Sequence, residues 1–393
     1  MGIMIAWLIL YSALILLSTF YFVIILLIDI GLFRFKPIIK SENIPTTIVS
    51  IIIAVRNEES TIENCLNDIN SQKYPFDLFE VVVVDDHSDD RTKQLVSTFA
   101  ENHPSLDLKL ITSGDSDNDQ AYKKRAIRSG IASSKGELIL TTDADTRLNP
   151  RWISSFVSYY EKHHPEMIIG PVMFHEENTL FEHIQSLEFM GLMAATAGSC
   201  KMKFPLMCNG ANLAFTRKAY LETLGMGDDL RHPSGDDLFL MIKIGKQFRS
   251  KTIQYLFAKE AVVYTKAKRS LHDFFSQRLR WVSKSKGYSD KRIICVSVIT
   301  WLFNFILFMT LIAGIFNLHL LIYSLILLAI KMIFEFPAVY RMKFLFGNRM
   351  WILFPLTQLL NLVYVSLIGI MGNVLPYKWK GRKISPVNRN NQG

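Results

Sequence analysis

Several groups of residues in this chain combine types and spacings suited to chemistry. Asp143 and Asp145 stand two apart after a run of β-branched and apolar residues. Two carboxylates so placed can jointly hold a hard cation such as Mg2+, with substrate phosphate oxygens completing the shell. Such a cation neutralises charge that builds on a departing diphosphate. An Asp-rich turn capping the helix after Pro150 uses the same residues. Asp85 and Asp86 follow four valines, where a carboxylate can accept hydrogen bonds from a nucleotide base or ribose, or cap the next helix. Asp236 and Asp237 open an apolar helical pattern after Gly235. A carboxylate there suffices as a general base toward a hydroxyl, and it also complements a helix dipole. Gln277, Arg280 and Trp281 share one helix face at i, i+3 and i+4. An amide, a guanidinium and an indole there can bind a sugar, grip a diphosphate and stack on a ring. The competing reading is an interfacial helix whose Arg and Trp reach headgroup depth, with Lys266, Lys268, Arg269, Arg278, Lys284 and Lys286 beside them. Lys123 and Lys124 open another helical stretch, within reach of a phosphate or simply solvated. His163, His164, His175 and His183 have no ligand spacing, and G-x-G-x-x-G, the P-loop lysine and G-x-S-x-G are absent.

The elements that must position these residues alternate. Ile48–Val55, Glu80–Val84, Leu106–Ile111 and Glu137–Thr141 read as strands, continuous and β-branched as in a parallel sheet covered on both faces. Helical patterns lie between them: Ile62, Cys65, Leu66 and Ile69, then residues 91–102 and Ala121–Ser133. Thr112–Gln120 is polar and reads as a loop. In such sheets ligands sit beyond the carboxyl ends of the strands, where both acidic clusters fall. Further on, Met167–Phe174 predicts one strand and 178–198 an amphipathic helix. Asn209–Asn212 and Gly225–Asp237 form Gly-rich turns, and Arg269–Tyr288 predicts a basic, aromatic helix.

Composition adds the setting. The chain has 393 residues, 50% hydrophobic and 20% charged, which excludes disorder and a small disulfide scaffold. Residues 1–28, 293–330 and 350–377 contain no Asp, Glu, Lys or Arg. A span needs about 20 apolar residues, so one membrane helix is expected before the central block. The 38-residue run should break at Asn317–His319 into two helices, and 350–377 supplies a third. The net charge of +9 resolves into −1 for residues 1–30, +8 for 293–393 and +2 for the block between. The basic excess is therefore juxtamembrane, and nucleic-acid binding loses its support. Arg34, Lys36 and Lys40 after the first span put the head on the cytoplasmic side, and the first segment reads as an anchor rather than a cleaved signal. Three later spans would then place the C-terminus outside, although Lys378, Lys380, Arg382, Lys383 and Arg389 argue that it stays inside. Either one late segment is re-entrant or interfacial, or the charge rule fails here. Cys65, Cys200, Cys208 and Cys295 lack C-x-x-C spacing and read as buried small hydrophobes in a reducing compartment.

Taken in order, Val-Asp-Asp, Asp-x-Asp, Gly-Asp-Asp and Gln-x-x-Arg-Trp resemble the family 2 glycosyltransferases. The likeness covers roughly residues 46–290 and is nearest to membrane-bound members such as cellulose, hyaluronan and poly-N-acetylglucosamine synthases and ceramide glucosyltransferases. Trp379-Lys380-Gly381-Arg382 after the last apolar run fits that group too. The resemblance implies an α/β, Rossmann-like GT-A domain with a mostly parallel sheet. It implies an N-terminal anchor (1–33), the catalytic domain (46–268), an interfacial amphipathic helix (269–292), membrane helices (293–377) and a basic tail (378–393). Ala54, Arg56, Glu58, Asp85, Asp86, Lys123 and Asp143 would bind the nucleotide-sugar, with Tyr122 replacing the glycine usual before that lysine. Asp143 and Asp145 would bind Mg2+ or Mn2+, and Asp237 would be the base, with Asp236 standing where Glu is commoner. Gln277, Arg280 and Trp281 would meet the diphosphate and acceptor. The implied activity is inverting transfer from a UDP-sugar to a growing polysaccharide at a bacterial inner membrane. The alternatives are a single-transfer lipid glycosyltransferase and an inactive nucleotide-sugar-binding scaffold.

Overall fold

The computed structural model of the chain describes residues 2–36, 45–114, 122–224, 226, 235–372, 377–379 and 382–384. Much of the Thr112–Gln120 loop, most of the Gly225–Asp237 turn, Lys40, and most of the basic tail lie outside these residues. The chain begins with α1 (Gly2–Phe33) and continues through β1 (Val49–Val55), α2 (Ile62–Asn70), β2 (Phe79–Asp85), α3 (Thr92–Asn102), β3 (Leu108–Thr112), α4 (Tyr122–Ala132) and β4 (Leu138–Asp143). Next come β5 (Arg147–Leu148), α5 (Trp152–His163), β6 (Met167–Ile169), β7 (Val172–His175), α6 (Leu180–Lys201), β8 (Leu213–Thr216), α7 (Arg217–Leu224), α8 (Asp236–Phe248), β9 (Ile253–Tyr255), β10 (Val263–Lys266) and α9 (Leu271–Ser283). The chain closes with α10 (Lys291–Gly314), α11 (Leu318–Arg341), α12 (Lys343–Phe346), α13 (Phe354–Met371) and the hairpin β11 (Tyr377–Trp379) and β12 (Arg382–Ile384).

The first four strands pair in parallel as the sequence predicts, and the large sheet runs β3-β2-β1-β4-β8-β6-β9. Alternate side chains of each strand enter different cores. Ile52, Val82 and Val84 face α4, α6 and α8, whereas Ile51, Ile53, Val81 and Val83 face α2, α3 and α5. Each fully buried valine contributes about 1.5–3 kcal/mol, which fixes the register. Met167–Phe174, expected as one strand, is two. Gly170 and Pro171 break it, so β6 joins the large sheet while β7 pairs with β10, which also pairs with β5, in a small one. A Cβ at Gly170 would stand 2.3 Å from the Asn212 amide, so only glycine lets the chain cross there. The antiparallel strand β8 was not anticipated; four residues give too little alternation to read.

Among the described residues four helices are long and apolar enough to cross a membrane: Ser12–Phe33, Lys291–Gly314, Leu318–Arg341 and Trp351–Met371. The expected break falls where Asn317 accepts the Leu320 N–H (3.2 Å) and caps α11. That helix continues past the uncharged run through Lys331 and Glu335. Lys331 Nζ lies 2.8 Å from Glu335 Oε1 and also bonds Gln358, while Tyr21 bonds Glu335, so these two charges of α11 are paired. α6 is buried nearly all round, not amphipathic, because α1, α11 and α13 pack against it from the membrane side. Both ends of α13 meet the head. Just before it, Arg349 pairs with Glu177 at 2.9 Å; at its end, Gly372 packs on Val282 of α9, and β11 also lies against α9.

Candidate active site

β1, β2 and β4 finish at one sheet edge, with Val55 beside Asp85 and Ala54 beside Asp143. A cavity of about 1240 Å³ opens there. Ala54, Arg56, Glu58 and Asp86 line it from the first two strand ends. Arg56 Nη1 donates to the carbonyls of Asp86 (2.6 Å) and His87 (2.7 Å), tying these two turns together. Thr61 Oγ1 donates to Glu58 Oε2 at 2.9 Å. Asp85 is not on the wall. Its buried carboxylate accepts the Ser88 N–H at 3.2 Å and pairs with Lys93 at 3.2 Å, so it fastens the turn after β2.

Lys123, Asp143, Asp145 and Asp237 line the next part of the wall. Lys123, in the first turn of α4, reaches across to Asp143 with Nζ 2.6 Å from Oδ1. Thr146 Oγ1 donates to the Asp143 carbonyl (2.7 Å) and holds the turn that presents the exposed Asp145. Among the described residues no group of three His, Cys, Asp or Glu side chains forms a metal cage. Two hard carboxylates on one exposed turn do fit Mg2+ or Mn2+ held jointly with phosphate oxygens and water.

Asp237 sits in the first turn of α8, after Gly235, whose φ of +93° suits glycine alone. Its Oδ2 accepts the Gly210 N–H (3.1 Å) and its Oδ1 accepts its neighbour Leu238 N–H (2.8 Å), with Lys284 Nζ 3.3 Å away. Burial pushes this carboxyl up, but Lys284, the Leu238 N–H, Lys123 and the Gly210 N–H outweigh it and hold Asp237 below the usual carboxylate range. The nearby Tyr288 hydroxyl is pushed up by burial and then by Asp237. The side chain of Asp236 lies outside the described residues.

α9 closes the cavity with Gln277, Arg280 and Trp281. The helix starts at Ser270, whose hydroxyl accepts the Asp273 N–H (3.1 Å). Arg280 has no side-chain ion pair and the Gln277 Oε1 is buried with no partner, both among the described residues. Arg278 and Lys284, which counted toward the competing interfacial-helix reading, turn inward. Arg278 is 0% exposed, pairs with Glu188 of α6, and lies 4.1 Å from the Trp281 ring centre. Burial pushes the Glu188 carboxyl up against the opposing pull of Arg278. The sequence offered little sign of this, because Arg278 reads as one of many basic residues.

The cavity does not stop at the head. It runs on past Ile24 and Ile28 of α1, Val296 and Trp301 of α10, and Val365 and Ile368 of α13. That the first apolar helix borders the site is expected from the sequence, but the parts of the wall from α10 and α13, and Gly210 as a donor to Asp237, are not legible there, because separated helices and a loop build them.

Residues 50–225 match the family described as glycosyl transferase family 2, and residues 138–368 match glycosyl transferase family group 2. A probable glycosyltransferase of Bacillus subtilis is 27% identical over 239 residues, 59% of this chain and 54% of that one. A poly-β-1,6-N-acetyl-D-glucosamine synthase of Staphylococcus epidermidis is 20% identical over 246 residues, 62% of this chain and 56% of that one. The chain thus spans about half the length of the curated relatives it matches. A mannosyltransferase from Pyrobaculum calidifontis, solved with GDP-mannose and Mn2+, superposes with a TM-score of 0.57 at 20% identity, covering 91% of this chain and 98% of that one. That likeness establishes the GT-A type of fold.

Proposed function

The chain belongs to glycosyl transferase family group 2, and from that premise we propose that it transfers a sugar from a nucleotide-sugar to the hydroxyl of a membrane-borne acceptor, with inversion. One observation carries the reading: Asp143, Asp145, Asp237, Arg280 and Trp281 line a single cavity that continues between membrane helices. Asp237 takes the acceptor proton as its oxygen attacks the anomeric carbon from the face opposite the leaving group. The bond from that carbon to the diphosphate breaks, and the diphosphate leaves toward Arg280 and Lys123. Asp143 and Asp145 would hold Mg2+ or Mn2+, whose chemistry there is to neutralise charge on the departing diphosphate. Ala54, Arg56, Glu58 and Asp86 cradle the nucleoside at the strand ends, and a UDP-sugar is the donor this reading takes from the family resemblance. Gln277 and Trp281 orient donor and acceptor.

The apolar wall of Ile24, Ile28, Val296, Val365 and Ile368 favours a lipid acceptor, since hydrocarbon gains from that surface and a bare glycan does not. A growing polysaccharide is the second reading, supported by the Gln277, Arg280 and Trp281 face and by likeness to a poly-N-acetylglucosamine synthase. Arg34 and Lys36 after α1 support a head on the cytoplasmic side, and a bacterial inner membrane is the setting this reading takes from the family resemblance. Contact of both α13 ends with the head supports a re-entrant helix, which keeps the basic C-terminal segment on the same side. The test is to incubate membranes containing the chain with radiolabelled UDP-sugars and Mg2+, then separate products by solvent extraction. A single labelled lipid is expected. A polymer ladder moves the second reading to first, and no transfer from any nucleotide-sugar overturns both.

A further inference from the structure

The motif face of α9 extends one residue beyond its sequence signature. Gln277, Arg280, Trp281 and Lys284 stand at i, i+3, i+4 and i+7, and all four line the cavity. Lys284 sits where α9 gives way to a tighter turn over Lys284–Gly287. Its Nζ lies 3.3 Å from Asp237 Oδ1, with the two side chains 14% and 10% exposed.

That pairing bears directly on the proposed base. Asp237 receives the N–H groups of Gly210 and Leu238, both fixed in the backbone, and the ammonium of Lys284. A carboxylate has about four lone-pair sites, so one stays open on Oδ2, but an ammonium against it lowers its affinity for a hydroxyl proton until that cation moves away. The backbone donors cannot leave without unmaking the loop and the first turn of α8. Lys284 can, because a lysine is a point charge on a flexible four-carbon stem. A diphosphate presents more negative charge than one carboxylate and many acceptor oxygens, so it competes well for the ammonium.

We propose that Lys284 is shared between Asp237 and the diphosphate of the nucleotide-sugar. It binds the diphosphate when the donor enters and thereby frees the carboxylate for the acceptor proton. When the nucleoside diphosphate departs, Lys284 returns to Asp237. No bond is made or broken in this exchange; a single cation changes partner. The consequence is an order of events, in which the base reaches its full proton affinity only after the donor is in place. This rests on the donor reading above, but it adds a binding residue that the motif does not contain.

The experiment measures binding rather than turnover. Detergent-solubilised full-length protein is titrated with UDP and UMP, and with GDP and GMP, at fixed Mg2+, for wild type, Lys284→Met and Lys284→Arg. Loss of a charge-assisted hydrogen bond should weaken diphosphate binding by about tenfold while monophosphate binding changes by less than about twofold. Lys284→Arg should restore most of the diphosphate preference. Equal weakening for mono- and diphosphates, or none for either, overturns the shared-lysine proposal while leaving the donor reading intact. Wild-type protein that binds none of the four nucleotides overturns the donor reading and this proposal with it.

Discussion

The two ends of the cavity are built on opposite terms. The sheet end is polar, and its groups sit at the ends of consecutive strands, with Ala54 beside Asp143 and Val55 beside Asp85 by simple parallel register. The membrane end is apolar and draws on α1, from the start of the chain, and on α10 and α13, from its last third. α9 stands between them, fastened inward by the buried Arg278–Glu188 pair. The difference teaches that acids at strand ends are brought together by local register, while the apolar surface beyond them is assembled from separate helices.

The sharpest way to break the comparison is at the sheet end. Asp237→Asn should reduce kcat by about 10²- to 10⁴-fold, with nucleoside diphosphate affinity nearly unchanged by isothermal titration. Retained turnover moves the base elsewhere, with Asp236 the first suspect. Next is the hinge between the two ends. Arg278→Met leaves Glu188 buried without its partner and should cost about 3–5 kcal/mol in thermal or denaturant unfolding. A partner change of Glu188→Gln in the same chain should recover part of that loss. If unfolding is unmoved, α9 is held by packing alone.

A smaller effect tests the sheet itself, at the edge opposite the cavity. Glu80 is buried, bonded to Ser50 Oγ (2.7 Å) and Lys109 Nζ (2.7 Å), and tied to the backbone of Lys135. Burial pushes its carboxyl up, but Lys109, the Lys135 N–H and Ser50 prevail and lower it. A carboxyl whose folded value is depressed stabilises the protein fully above its ordinary value of about 4.3 and loses that contribution as pH falls through the lower folded value. Glu80→Gln should therefore cost about 1–3 kcal/mol at neutral pH and flatten the acid side of the stability curve. An unchanged acid limb shows that other carboxylates govern it. The smallest change probes the membrane end. Val365→Trp should raise the acceptor KM by about tenfold, or ~1.4 kcal/mol, and leave the donor KM alone. A matching rise in donor KM would show that the two ends are not separable.

The strands β1–β4 and both acid pairs on them were legible because a buried parallel strand writes itself as a short continuous β-branched run. Asp143 and Asp145 follow such a run directly, so their place at the sheet edge needed no knowledge of the rest. The break at Asn317 was legible for a similar reason, as a helix cap is a local event. Asp85 shows the limit of such reading. Its neighbour Asp86 lines the cavity, yet Asp85 points into the turn to meet Ser88 and Lys93, and adjacent strand residues face opposite ways.

What the sequence determined by itself was therefore the local order: which segments are strands, which are apolar enough for a membrane, and which acids follow them. Only the tertiary structure decided what those acids meet. It brought Gly210 and Lys284 to Asp237 from 27 and 47 residues away. It also turned Arg278 inward and ran α13 back to the head. These outcomes depend on packing between distant elements, where many similar lysines, arginines and apolar helices compete for the same places. Local spacing carries no information about which of them arrives.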